Sequence, residues 1–131
     1  MSKKTILVVD DEPDIRQLLQ DILEDEGYRV HVAENATAAR QQRQDHKPDL
    51  ILLDIWMPDE DGISLLKDWL REDQLCPVVM MSGHATVETA VEATRLGAYD
   101  FLEKPLSMAK LLVTVERALE TARLKRENIG L

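Results

Sequence analysis

A short, almost wholly apolar run at residues 49–53, closing on Leu50-Ile51-Leu52-Leu53, leads straight into Asp54 and a loop bounded by Pro58 and Gly62. An apolar run of that length suits a strand buried on both faces, as in a parallel sheet covered by helices. Such a strand delivers one carboxylate to its own mouth. That acid is either a capping group or a reactive one, and the rest of the chain decides between them.

Four more short apolar runs alternate with segments of helical spacing. Thr5 to Val9 reads as a first strand, and Pro13 fits the first turn of the helix after it, where a missing N–H costs nothing. Ile15, Leu18, Leu19 and Ile22 repeat at helical spacing up to a stop at Gly27. Arg29 to Ala33 is a second strand, and Asn35 caps a helix running to about His46. Ile63, Leu66, Trp69 and Leu70 mark a third helix. Pro77 to Met81 is a fourth strand, Val87 to Thr94 a fourth helix with a thin apolar face, and Tyr99 to Leu102 a fifth strand. Ser107 caps a last helix reaching Asn128. Five strands alternating with five helices predict an α/β fold, a doubly wound parallel sheet with right-handed crossovers.

The net charge of −9 over 131 residues argues against direct nucleic-acid binding, which relies on Lys and Arg neutralising phosphates. One cysteine, Cys76, excludes an intrachain disulfide and reads as an apolar filler before Pro77. The apolar runs are too short for a signal peptide or a membrane span, so the expected location is cytoplasmic.

In a sheet of this kind ligands bind outside the carboxyl ends of the strands. Strand 1 brings Asp10 and Asp11 to that rim, strand 3 Asp54, strand 4 Ser82 and strand 5 Lys104. Three carboxylates repel one another unless a cation sits among them, and all-oxygen ligands point to a hard ion such as Mg2+. With a metal and a lysine beside it, Asp54 becomes a candidate nucleophile of the aspartyl-phosphate kind. An X-Pro bond at Lys104-Pro105 can be cis, giving a sharp turn that aims the ammonium inward.

Val8-Val9-Asp10-Asp11-Glu12-Pro13, Leu53-Asp54-Ile55-Trp56-Met57-Pro58 with Gly62, Met81-Ser82-Gly83-His84 and Phe101-Leu102-Glu103-Lys104-Pro105 resemble the receiver domain of two-component response regulators. The resemblance covers about residues 4–122 and implies a flavodoxin-like sheet of order 2-1-3-4-5. It implies a receiver domain at 1–122, with 123–131 as the end of an extended last helix. It further implies that Asp54 accepts phosphate from a sensor histidine kinase, with Mg2+ held by Asp10, Asp11, Asp54 and the Trp56 carbonyl. Lys104 would pair with the phosphoryl group, and Ser82 and Phe101 would be the switch pair. Phe101 stands where many relatives have Tyr, so a phenolic hydroxyl has no role here. Glu88-Thr89-Ala90-Val91-Glu92-Ala93 and Leu96-Gly97-Ala98-Tyr99-Asp100-Phe101 narrow the likeness to sigma-54-dependent regulators of the NtrC and NtrX type. Those carry an AAA+ ATPase module downstream, and these residues contain no Walker A motif.

Such a chain is a phosphoacceptor rather than an enzyme, catalysing only its own phosphoryl transfer and dephosphorylation. The sparse apolar face of helix 4 makes it a low-stability element, as a switch requires, and the expected output face is helix 4, strand 5 and helix 5. Homodimerisation is expected through that face or through the last helix, where Leu119, Ala122 and Arg126 form a seam. Trp56 and His84 flank the site, and bulky Trp56 is expected to slow hydrolysis of the acyl phosphate. Competing readings are a flavin or nucleotide carrier, a hydrolase using Ser82 and His84, and a phosphorylation-independent pseudo-receiver that only binds partners. The first lacks a phosphate-cradling loop, and the second lacks a nucleophile elbow.

Overall fold

The computed structural model describes residues 3–73, 75–83 and 86–130, with side chains as far as residue 128. The chain runs β1 (Thr5–Val9), α1 (Pro13–Asp25), β2 (Arg29–Ala33), α2 (Ala36–His46), β3 (Leu50–Asp54), α3 (Gly62–Glu72), β4 (Val78–Ser82), α4 (Val87–Leu96), β5 (Asp100–Glu103) and α5 (Met108–Gly130). All strand pairs are parallel and the order is β2-β1-β3-β4-β5, the doubly wound arrangement expected. The order reverses at β1, so β1 and β3 leave a crevice between their carboxyl ends.

The central strands are aliphatic on both sides because both faces of the sheet are covered. Every residue of β1, β3 and β4 is buried. Leu7, Val9, Ile51, Leu53, Val78 and Met80 pack on one face with Ile63, Leu66 and Trp69 of α3 and small residues of α2 and α4. Ile6, Val8, Leu50, Leu52, Val79 and Met81 pack on the other with Leu19 and Leu23 of α1 and Leu111 and Val115 of α5. The period-two alternation thus sorts a continuous apolar run into two cores.

Helix signals fall where the sequence put them. Pro13 opens α1, the Asn35 side chain accepts the Ala38 N–H at 2.8 Å, and Gly97 closes α4 at φ 118°. Ala93 is the one residue of α4 buried, in keeping with its thin apolar face. Three strands differ in position. β3, β4 and β5 each begin one residue later than expected and also take in Asp54, Ser82 and Glu103. The ladder explains the shift, since Asp54 pairs with Met81 and Ser82 with Glu103 at the strand ends. Along the last helix Ala122 is buried against its own domain, and the side chains from Arg123 to Asn128 are exposed.

Candidate functional site

β1 delivers Asp10 to the rim as a wholly buried carboxylate, while its neighbours Asp11 and Glu12 are exposed. The Glu12 N–H donates to Asp10 Oδ1 at 2.9 Å, and Arg16 of α1 donates to the Asp10 carbonyl at 2.7 Å. Those two bonds fix the acid and leave its buried Oδ2 to the ammonium of Lys104. Lys104 Nζ lies 2.7 Å from that oxygen, the shortest of its ion pairs.

β3 brings Asp54 to the same place from the centre of the sheet. Its Oδ1 accepts the Trp56 N–H at 3.3 Å, and its Oδ2 lies 3.4 Å from Lys104 Nζ. The ammonium also reaches Glu12 Oε1 at 3.2 Å. One cation therefore touches three carboxylates contributed by two strand ends. The Lys104–Pro105 peptide is cis, and the Lys104 N–H donates to the Ser82 carbonyl at 3.0 Å, which ties the lysine to the end of β4.

Burial and the neighbouring Asp10 push the Asp54 carboxyl up to about 6, against the opposing pull of Lys104 and the Trp56 N–H. Burial works against the Lys104 charge, yet Asp10, Asp54 and Glu12 outweigh it and raise that pKa. A carboxylate this costly to ionise, beside another acid, is the arrangement a bound cation relieves. Ligand oxygens of Asp10, Asp11 and Glu12 also lie within 4.8 Å of one another. Closely spaced carboxylates, Asp10 wholly buried and Asp54 costly to ionise, make an all-oxygen set that fits a hard divalent ion.

Of the residues singled out in the sequence, all but His84 lie among those described. Asp10, Asp54 and Lys104 come together, with Asp11 beside them. Ser82 is fully buried at the end of β4. Phe101 pairs with Met80 two residues earlier, so Ser82 and Phe101 share the sheet face that α4 covers, with Phe101 half-buried against that core. Trp56 is 52% exposed beside Asp54. His84 lies outside the described residues.

Sequence reasoning did not assign Glu12 to Lys104, and it treated the acidic loop after Asp54 as a unit. Each acid there has its own use. Asp61 caps α3 by accepting the Ile63 N–H at 2.7 Å, Glu60 pairs with Arg40 of α2, and Asp59 accepts N–H groups of Ala36 and Thr37. Only the Asp61 cap had a local signal, an acid immediately before a helical apolar pattern.

Residues 6–116 match the sequence model of the family described as the response regulator receiver domain. The nitrogen assimilation regulatory protein NtrX of Azorhizobium caulinodans is 52% identical over 124 residues, covering 93% of this chain and 27% of that protein. The crystal structure of the NtrX receiver domain from Brucella abortus superposes with a TM-score of 0.84 at 49% identity, covering 88% of this chain and 98% of that one. Longer NtrX from Brucella abortus gives a TM-score of 0.92 at 47% identity, covering 98% of this chain and 29% of that one. The chain spans little more than a quarter of the length of the NtrX proteins it matches. With a β2-β1-β3-β4-β5 sheet and a family match over most of its length, the chain belongs to the response regulator receiver domain family.

Proposed function

We propose that this domain is a phosphorylation-dependent signalling switch whose acceptor is Asp54. The observation that carries the reading is the Lys104 ammonium between Asp10 and Asp54, 2.7 Å and 3.4 Å from their carboxylates, on a strand-end rim that fits a divalent ion. In the transfer, an Asp54 oxygen attacks the phosphorus of a histidine-kinase phosphohistidine. The O–P bond forms as the N–P bond breaks, and the imidazole leaves with the bonding pair and takes up a proton. Asp10, Asp11, Asp54 and the Trp56 carbonyl would hold Mg2+, whose part is to neutralise charge on the phosphoryl oxygens.

The new phosphoryl oxygens, rather than added charge, are the signal. A phosphoryl group adds about one net charge to an acid that was already ionised, too little to act by bulk repulsion. Its three acceptor oxygens can draw Lys104 from Asp10 and recruit the Ser82 hydroxyl. Movement at Ser82 would free space on the sheet face where Phe101 already lies half-buried. α4 is held by little apolar burial, so differential contacts of this size can bias its position.

The output face would then be α4, β5 and α5. Exposed Val87 and Val91 on α4 and Met108 and Val113 on α5 suit that face for homodimer contact. Through it the domain would control an attached sigma-54-type AAA+ module, since the NtrX relatives are longer than this chain. Among the described residues no helix is long and apolar enough to cross a membrane, and a cytoplasmic histidine kinase module is the expected donor.

The test is to mix the protein with acetyl phosphate and Mg2+ and measure its mass. One added phosphoryl group, absent with chelator and absent in Asp54→Asn, is the expected result. Labelling that persists in Asp54→Asn overturns the assignment.

A further inference from the structure

The loop that carries Trp56 away from Asp54 is held at two places. At its base the Gly62 N–H donates to the Ile55 carbonyl at 2.8 Å, closing the loop on itself. At its outer end Asp59 reaches across to a different helix. Its Oδ1 accepts the Ala36 N–H at 2.9 Å, and its Oδ2 accepts both the Thr37 N–H and the Thr37 hydroxyl at 3.1 Å. These are amides of the first turn of α2, which have no partner within their own helix. Asn35, the helix's own cap, takes the next one, the Ala38 N–H, at 2.8 Å.

Glu60 repeats the link. It pairs with Arg40 of α2 at 2.5 Å, and Arg40 continues to Asp68 of α3 at 2.8 Å. Asp59 and Glu60 are consecutive, so two adjacent side chains of one short loop grip α2 over its first two turns. Arg40 and Glu60 are both partly solvated, and an ion pair of that kind contributes little alone. Asp59 is itself exposed, but it takes three donors, charge-assisted and at the positive end of the helix.

We propose that Asp59 is a positioning residue for the phosphoacceptor site, holding the Trp56 peptide where a divalent ion needs it by anchoring the far end of its loop to α2. The inference rests on the reading that Asp10, Asp11, Asp54 and the Trp56 carbonyl bind such an ion. Asp54 is buried as the last residue of β3, and Asp10 is buried directly after β1 with its N–H bonded to the Ala33 carbonyl, so neither needs such help. Trp56 sits past the strand end, so its carbonyl is only as well placed as the loop. Cutting the outer anchor leaves the loop more conformations, and ion binding must then supply the lost ordering. The link also runs in reverse. An ion that fixes the loop must hold Asp59 more firmly on α2 and so protect the Ala36 and Thr37 amides.

The experiment titrates Mg2+ into the unaltered protein, Asp59→Ala, Asp59→Asn and Asn35→Ala. Binding is read by Trp56 fluorescence, which an ion beside Asp54 should perturb while buried Trp69 stays constant. Amide hydrogen exchange is followed at Ala36 and Thr37 in parallel. Asp59→Ala should raise the Mg2+ concentration for half-saturation by about three- to ten-fold, as expected when binding must order a freed loop. Asp59→Asn, which keeps one acceptor oxygen, should fall between. Mg2+ should slow exchange at Ala36 and Thr37 in the unaltered protein and not in Asp59→Ala. Asn35→Ala weakens α2 without cutting the loop from it and should bind Mg2+ normally. Unchanged Mg2+ binding in Asp59→Ala overturns the proposal. So does an equal shift in Asn35→Ala, which would assign the effect to helix stability. Failure of the unaltered protein to respond to Mg2+ at all overturns the metal-site reading itself, an outcome distinct from either.

Discussion

The Lys104 ammonium stands closer to Asp10 than to Asp54, 2.7 Å against 3.4 Å. It therefore acts first as the counter-ion of a wholly buried acid, and the proposed phosphorylation of Asp54 would have to compete for it. Lys104→Met removes that charge and leaves two buried carboxylates facing each other. Breaking a buried pair by deleting one partner costs about 3–5 kcal/mol, and the water-accessible rim puts this case at the lower end. Urea unfolding in chelator at pH 8 should show the loss, and millimolar Mg2+ should recover more stability in Lys104→Met than in the unaltered protein. Equal Mg2+ stabilisation of the two would mean that lysine and metal do not answer the same charge.

Asp54 gives a pH dependence with a definite sign. Its carboxyl is pushed from the ordinary 3.8 up to about 6, so the folded protein holds that proton more tightly than the unfolded chain. The stability this contributes is complete below the unfolded value and is lost as pH rises through about 6. Asp54→Asn cannot lose it. In chelator the variant should be more stable than the unaltered protein at pH 8, by up to about 3 kcal/mol, with the difference shrinking toward pH 4. Parallel stability curves across that range would refute the raised value.

Gly62 is needed for lack of a side chain rather than for an unusual backbone angle. A Cβ there would sit 2.4 Å from the Asp54 carbonyl oxygen and 2.9 Å from Ile55 Cα, both main-chain atoms that cannot rotate away. Gly62→Ala should cost about 3 kcal/mol, at the upper end of overpacking, and should displace the end of β3 that carries Asp54. Gly83→Ala is the contrast, since its Cβ would meet Lys104 Cβ at an ordinary 3.5 Å. Denaturation midpoints of the two should differ widely, and similar midpoints would show that the β3 end yields easily.

Trp56 combines an anchored backbone with an exposed ring. Its N–H holds Asp54 while half of its surface faces solvent at the mouth of the site. If Asp54 carries an acyl phosphate, as proposed, a bulky indole two residues on would hinder water approaching it. Trp56→Asn should shorten the phosphate lifetime about three-fold or more, as expected when a shielding group is replaced by a smaller polar one. An unchanged or longer lifetime, followed by decay of the phosphorylated mass, rejects shielding.

The fold was legible because its signals are local. Apolar runs such as Ile6 to Val9 mark buried strands, and Asn35, Pro13 and Gly97 mark helix ends through their own backbone chemistry. The rim residues were legible because parallel strands all deliver their last residues to one edge, so Asp10, Asp54 and Lys104 could be grouped before any distance was known. Sheet order came only with the family resemblance. Contacts between elements distant in sequence left no local trace. Asp59 meets Ala36 across 23 residues, and nothing in an acidic loop distinguishes a side chain gripping another helix from one in water. The same holds for His31 and His46, which carry no sequence signal.

Those two histidines are stacked, with ring centroids 3.6 Å apart and planes 9° from parallel, joining edge strand β2 to the last residue of α2. Two protonated imidazoles cannot share that spacing without repulsion. Burial, then His46, then Arg29 on the same strand, hold the His31 pKa below its ordinary 6.5. The sign follows: the neutral ring suits the folded state, so its stabilisation is present above 6.5 and is lost as pH falls through the lowered value. Asp54 gains stability over part of the same range as pH falls, so a bulk melting curve mixes the two, and a site-specific readout is required. Proton NMR of the His31 ring should give a midpoint below 6.5, and His46→Gln, which removes the second of the three causes, should move it upward. A midpoint at or above 6.5 in the unaltered protein, or one that ignores His46→Gln, would show that the stack does not govern the His31 charge.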